Sequence, residues 1–185
     1  DAEVSDLAQR AGAPLFEGMG AFHMPVTTVD PDAQRYFDQG MVLAFGFNHA
    51  ESIRSFRAAQ TLDPLCAMCF WGEALATGPN INVTSNGKAI MSSDERVSAR
   101  AAIDKALGLM AGLTEKEQDW IRALDQRYDG QAASPRNPLD RAWADALEAM
   151  AKQYPEDTTV ASIYAEALMN TMPWDYWGPS GEAKP

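Results

Sequence analysis

Histidine and cysteine are both scarce in this chain: among 185 residues there are only His23, His49, Cys66 and Cys69. With two imidazoles and no glycine-rich phosphate loop, neither hydrolysis nor nucleotide binding has positive support, and no nucleophile–base–acid arrangement is legible. Long apolar runs are missing as well. No stretch approaches the ~20 residues that a helical membrane span requires. Basic residues are the third shortage, with 15 against 26 acidic ones and a formal net charge of −11. Such a surface repels polyphosphate unless one face is locally basic. Arg54 and Arg57 stand close together but are followed by uncharged residues. Nucleic acid is therefore not an expected partner.

Alanine is what the chain has in quantity. It fills 31 positions, apolar residues make up 46% of the chain, and charged residues 22%. Alanine favours helix and lets helices approach closely. The length can bury a sizeable core, and one domain is the natural expectation. The chain starts Asp1-Ala2-Glu3-Val4, without an initiator methionine. That start is compatible with removal of a signal peptide or with a fragment boundary.

An internal period organises the rest. Tyr36-Phe37 and Phe70-Trp71 are aromatic pairs 34 residues apart, and Gly40/Ala74 and Asn48/Asn82 match at the same spacing. That period belongs to helix–turn–helix repeats of the tetratricopeptide kind. Pro31 after Asp30 opens the first helix. Tyr36, Gly40 and Leu43 share a face, Gly46-Phe47-Asn48 makes the turn, and Ser52, Phe56 and Ala59 line a second helix closed by Asp63-Pro64.

A second unit starts near Leu65, interrupted by a polar insertion at about 78–93. Its partner helix runs from about Asp94 to Met110, with Ala99, Ile103 and Ala106 inward and Ser92 or Ser93 able to cap it. The third pair is Thr114 to Tyr128 and Asn137 to Tyr154. Thr114 and Glu117 form a capping box there, the linker is 131–138, and Trp143, Leu147 and Met150 point inward. A last helix spans Thr158 to Thr171. The expected fold is all-α: an α-solenoid of antiparallel helix pairs with about seven helices. Residues 1–30 are expected to be irregular, 31–177 to hold the repeats and 178–185 to form a tail. Because a repeat array exposes an apolar face at an uncapped end, the ending Trp174-Asp175-Tyr176-Trp177 is expected to be covered by further repeats or by another subunit. Continuation of the chain is the favoured reading.

The segments Tyr36-Phe37-Asp38-Gln39-Gly40, Gly46-Phe47-Asn48-His49-Ala50-Glu51, Leu62-Asp63-Pro64, Gly78-Pro79-Asn80-Ile81-Asn82 and Met172-Pro173-Trp174-Asp175-Tyr176-Trp177 carry a resemblance. Together they resemble the N-terminal part of a group of bacterial tetratricopeptide-repeat proteins. The resemblance implies a longer parent with further repeats and histidine-bearing segments downstream, and an export signal upstream. It therefore implies a periplasmic or secreted location. It carries no settled biochemical function.

Three constellations could carry chemistry. Cys66-Ala67-Met68-Cys69 places two sulfurs on one face at a helix start, where thiolate is favoured. The spacing is compatible with a structural bridge, buried packing, redox chemistry or half of a metal site. Phe70 after the second cysteine excludes c-type haem attachment.

The second constellation is His49 with Glu73, Asn80 and Asn82. An antiparallel following helix is expected to bring Glu73, Thr77 and the insertion to the level of His49. His49 and Glu73 could then ligate a divalent metal, or the four residues a polar ligand. The competing reading is helix capping by Asn48 and His49, with the loop backbone satisfied by Asn80 and Asn82. The third constellation is His23-Met24 with Met19, Met68 and the cysteines, a soft set of the kind that suits Cu(I). The functional expectation is a binding or scaffold protein whose helical groove takes a protein, peptide or small ligand. The alternative is a metal-binding protein or metal-dependent enzyme completed by residues outside this chain.

Overall fold

The computed structural model of the chain describes residues 2–85, 88–131 and 133–184. Asn86 and Gly87 of the polar insertion, Ala132 of the linker, and the terminal Asp1 and Pro185 lie outside them. The described residues are all-α apart from one two-residue ladder. Eight helices run α1 (Ala2–Ala11), α2 (Pro31–Phe45), α3 (His49–Leu62), α4 (Ala67–Thr77), α5 (Ser93–Gly108), α6 (Glu115–Asp125), α7 (Arg136–Gln153) and α8 (Thr158–Thr171). Between α4 and α5, β1 (Thr84–Ser85) pairs antiparallel with β2 (Lys88–Ala89). No described helix is long and apolar enough to cross a membrane.

The chain folds as two compact units, residues 1–77 with 98–121 and residues 78–97 with 122–185. In the first, α2 packs on α3 and α3 on α4, each pair joined by a short turn. Local chemistry explains where these helices start. Asp30 caps α2 by accepting from the Asp32 amide, with Pro31 in the first turn. Phe47 closes the α2–α3 turn at φ 58°, a left-handed conformation rare outside glycine. Thr114 and Glu117 bond reciprocally at the start of α6, as a capping box requires.

The core of this unit is aromatic. Phe56 of α3 meets Phe37 of α2 edge to face at 5.5 Å, and Trp71 of α4 lies 5.3 Å from Trp120 while donating to the Trp120 carbonyl at 3.0 Å. The Phe56 ring occupies the space left by two glycines. A Cβ built on Gly40 would meet it at 2.8 Å and one on Gly72 at 2.2 Å.

Residues 1–30 were expected to be irregular, yet Ala2–Ala11 forms a helix with its Leu7 and Ala11 buried. Val4, Leu7, Ala8 and Ala11 recur at helical spacing, a short signal that the sequence did carry. The segment from 13 to 29 is an irregular strap, with left-handed backbone at Gly18 and Gly20. Tyr36 Oη donates to the Ala13 carbonyl at 2.7 Å, Gln39 Nε2 to that of Pro14 at 3.0 Å, and Asp38 accepts from His23 and the Met24 amide. Thr27 is tied to Glu117 and Thr28 to Asp63.

Burial pushes both carboxyls upward, but hydrogen bonds outweigh it. Bonds from Thr27 and Thr114 hold Glu117 below its ordinary value, and bonds from Thr28, Val29, Leu65 and Cys66 do the same for Asp63. A depressed folded-state pKa stabilises above the unfolded value and ceases to as pH falls through the folded one. The strap should therefore be fully held above about pH 5 and loosen as pH drops below about 4. The protection of the Thr27 and Val29 amides, measured against the exchange rate of a free amide at each pH, should fall over that range in the native chain. In a Glu117→Gln variant, Thr27 should exchange faster already at pH 7. Unchanged Thr27 protection in that variant would remove Glu117 as the anchor.

In the second unit α7 packs on α8, and α8 touches β2. Asp157 caps α8 through the Thr159 and Val160 amides. Ser92 and Glu95 bond reciprocally ahead of α5. Two buried arginines organise this unit. Arg127 donates to Asp140 at 3.1 Å and to the Pro79 carbonyl at 2.7 Å, with its guanidinium 3.8 Å from the Trp143 ring centroid. Arg136 donates to the same Asp140 oxygen at 2.8 Å and to the Arg127 carbonyl at 3.0 Å. The Pro79 bond, with one from Trp174 Nε1 to the Ile81 carbonyl at 2.6 Å, anchors the start of the polar insertion.

Candidate functional site: a cleft on α3, α4 and α5

Residues three or four apart share a helix face, and three such sets converge in the first unit. Arg57 and Gln60 lie on α3, Phe70 and Glu73 on α4, and Ser98, Ala101, Ala102 and Lys105 on α5. Except for Gln60, these line an open cleft of about 300 Å³. Glu73 is only 8% exposed. Its two oxygens are used separately, one accepting from Arg57 Nε at 2.7 Å and the other from Gln60 Nε2 at 2.7 Å. Gln60 also donates to the Cys69 carbonyl at 3.2 Å. Arg57 is bonded side-on through Nε, and its two Nη groups make no hydrogen bond among the described residues. Lys105 holds its ammonium 5.9 Å from the Phe70 ring centroid and has no acidic partner among the described residues.

Glu73 was expected near His49; its two side-chain hydrogen bonds go to Arg57 and Gln60. Glu73 sits opposite Arg57 and Gln60, and Arg57 is eight residues beyond His49, about 12 Å along α3 at 1.5 Å per residue. The reason is register. Folding the chain back about the turn near residues 64–65 puts position 73 level with position 56. The sequence held that arithmetic, but an expectation built from helix ends overlooked it.

Both ring nitrogens of His49 are buried without a hydrogen bond among the described residues, beside the Phe47 ring at 6.1 Å. Asn48 occupies the cap position of α3, but its side chain makes no capping bond. Asn80 and Asn82 belong to the second unit. Asn80 is buried, and its Oδ1 accepts from the Asn82 amide at 2.9 Å, satisfying loop backbone as asparagines in turns do. Among the described residues no three His, Cys, Asp or Glu side chains are grouped as metal ligands would be.

Cys66 and Cys69 form a disulfide with both residues fully buried, so in this oxidised form neither sulfur is a thiolate that could ligate a metal. His23 is hydrogen-bonded to Asp38 at 2.8 Å. The bridge closes a loop of four residues, so its reduction should lower stability by only about 2 kcal/mol. Urea midpoints with and without reductant, beside a Cys66→Ser/Cys69→Ser variant, measure this. An unchanged midpoint would leave the bridge without a stabilising role.

The second unit has its own cleft of about 270 Å³, lined by Leu168, Met169, Met172, Tyr176 and Trp177 among others. The Tyr176 hydroxyl is buried there without a hydrogen bond among the described residues, and Trp177 is 64% exposed. No family model, no curated protein and no solved structure matches the chain.

Proposed function

We propose that this chain is a binding protein whose helix pairs, arranged in the manner of tetratricopeptide repeats, present the α3–α4–α5 cleft to a peptide, a protein segment or a small ligand. The observation that carries this reading is the Arg57–Glu73–Gln60 arrangement. A nearly buried carboxylate is held by two donors, and one of them, Arg57, faces an open cleft with unused hydrogen-bonding capacity. Fixed polar groups beside an apolar wall are how ligand sites combine affinity with orientation. The buried bridge of Cys66 and Cys69 supports placing the protein in an oxidising compartment such as the periplasm.

A mixed library of short peptides and small polar molecules, screened by ¹H–¹⁵N correlation spectra, tests the reading. Binders should move signals of Arg57, Phe70, Glu73 and residues 98–105 together. A Phe70→Ala/Arg57→Ala variant should abolish those changes while keeping its fold. If no compound moves that set, or if the variant binds unchanged, the cleft is not the binding surface.

A further inference from the structure

We infer that the cleft takes a small carboxylate carrying an apolar or aromatic body, an inference that rests on the binding reading above and names its ligand class. Two cations border the cleft, Arg57 and Lys105, against one carboxylate, Glu73. Glu73 is neutralised where it stands, both oxygens being occupied by Arg57 Nε and Gln60 Nε2. The local balance is therefore one positive charge, on a chain whose net charge is −11.

Geometry narrows the class further. A guanidinium gripped through Nε keeps its Nη1–Nη2 edge for a second acceptor, and that edge matches the two oxygens of a carboxylate. Glu73 thus acts as a positioning residue for Arg57. Lys105 supplies a second cation and Ser98 lines the same cleft. The remaining wall is apolar, formed by Phe70, Ala101 and Ala102. An ammonium ligand would meet two cations and a carboxylate already bonded on both oxygens. A bare inorganic anion would leave the Phe70 and alanine wall unused. A volume of about 300 Å³ is at the lower end for ligand pockets, which suits a compact molecule.

Phenylacetate is the probe, with phenylacetamide, phenethylamine and inorganic phosphate as comparisons, titrated into the full chain and followed by ¹H–¹⁵N spectra including the Arg57 side-chain Nε. Phenylacetate should give saturable shifts at Arg57, Phe70, Ala101 and Lys105, and the amide should bind about tenfold more weakly, the loss of one charge-assisted contact. Arg57→Lys keeps the charge and removes the fork, and should weaken phenylacetate by about tenfold, as should Lys105→Met. Both residues are exposed, so the variants should fold normally, which circular dichroism verifies.

Equal or tighter binding of phenylacetamide or phenethylamine overturns the inference, and so does phosphate binding as well as phenylacetate. Silence of the cleft toward all four probes also overturns it. If members of the wider library then still move the cleft signals, the binding reading survives with another ligand class. If none does, both fall together.

Discussion

Replacing Asp140 with alanine should be the most damaging single change in the second unit, costing about 3–5 kcal/mol. Asp140 is 1% exposed and is the acceptor for two buried guanidinium groups, those of Arg127 and Arg136. Arg127 is itself 1% exposed. Removing the carboxylate leaves two desolvated positive charges side by side, with the Pro79 and Arg127 carbonyls, the Tyr128 side chain and the Trp143 ring among their remaining partners. Those dipoles do not replace a full charge in a low-dielectric interior.

A domain of ordinary stability has 5–15 kcal/mol in total, so the loss should populate the unfolded state of this unit well below the wild-type midpoint. Urea unfolding followed by circular dichroism, beside the indole signal of Trp143 in ¹H–¹⁵N spectra, measures it, since Trp143 stacks on Arg127. Asp140→Asn keeps an acceptor while removing the charge, and should fall between wild type and alanine. A cost below about 1 kcal/mol for Asp140→Ala would mean that water or a neighbouring carboxylate takes over, and the buried-charge account would be wrong. The start of the insertion hangs on the same network through the Arg127–Pro79 bond. Amide exchange of Asn80 and Asn82 should therefore rise in the same variants.

The second large effect belongs to Gly72. Mid-helix, alanine is favoured over glycine by about 1 kcal/mol, so a propensity argument makes Gly72→Ala stabilising. The structure reverses the sign. A Cβ there would lie 2.2 Å from Phe56 Cε1, and the ring cannot retreat, because Gly40 faces it from α2 and Phe37 packs on it at 5.5 Å. Overpacking of this kind costs roughly 1–3 kcal/mol, so after the propensity gain Gly72→Ala should be destabilising by up to about 2 kcal/mol. Phe56→Leu alone should also destabilise, by loss of buried surface. The double variant should be more stable than the sum of the two singles implies, because the smaller side chain leaves room for the new methyl. Additive losses would mean that the ring and the glycine do not interact. Thermal melts of the four proteins close the cycle.

Much of the helical framework was legible because its signals are local. Asp30 with Pro31, Thr114 with Glu117, and the stretch Thr158–Thr171 mark helix ends through hydrogen bonds spanning two to four residues. Spacing alone placed Ser52, Phe56 and Ala59, and Ala99, Ile103 and Ala106, on inward faces, where all six are fully buried. The cleft was half legible. Glu73 was singled out, but with His49 as companion, since helix ends were matched instead of counting back from the turn. Arg57 and Lys105 read as ordinary surface cations, and nothing in their neighbours along the chain marks them as lining one cleft.

Arg127 was missed for a similar reason. Arg136, Asp140 and Trp143 have the spacing of one helix face, a signal that was available, but Arg127 reaches Asp140 from a different segment. The strap was invisible because its partners, among them Asp38, Gln39, Asp63 and Glu117, are 14 to 90 residues away from the groups they hold.

What the sequence by itself determined is therefore the all-helical character, most helix boundaries, the inward faces and the absence of a helical membrane span. These follow from propensity, capping and periodicity, which act over one or two turns. Tertiary structure alone decided that Cys66 and Cys69 are bridged and buried, that Glu73 serves Arg57 while His49 packs beside Phe47, and that Arg127 and Arg136 share one carboxylate. Each of these depends on which side chains meet after the chain folds back. A pairing of charges or donors is set by distance in space, and separation along the sequence carries little information about it.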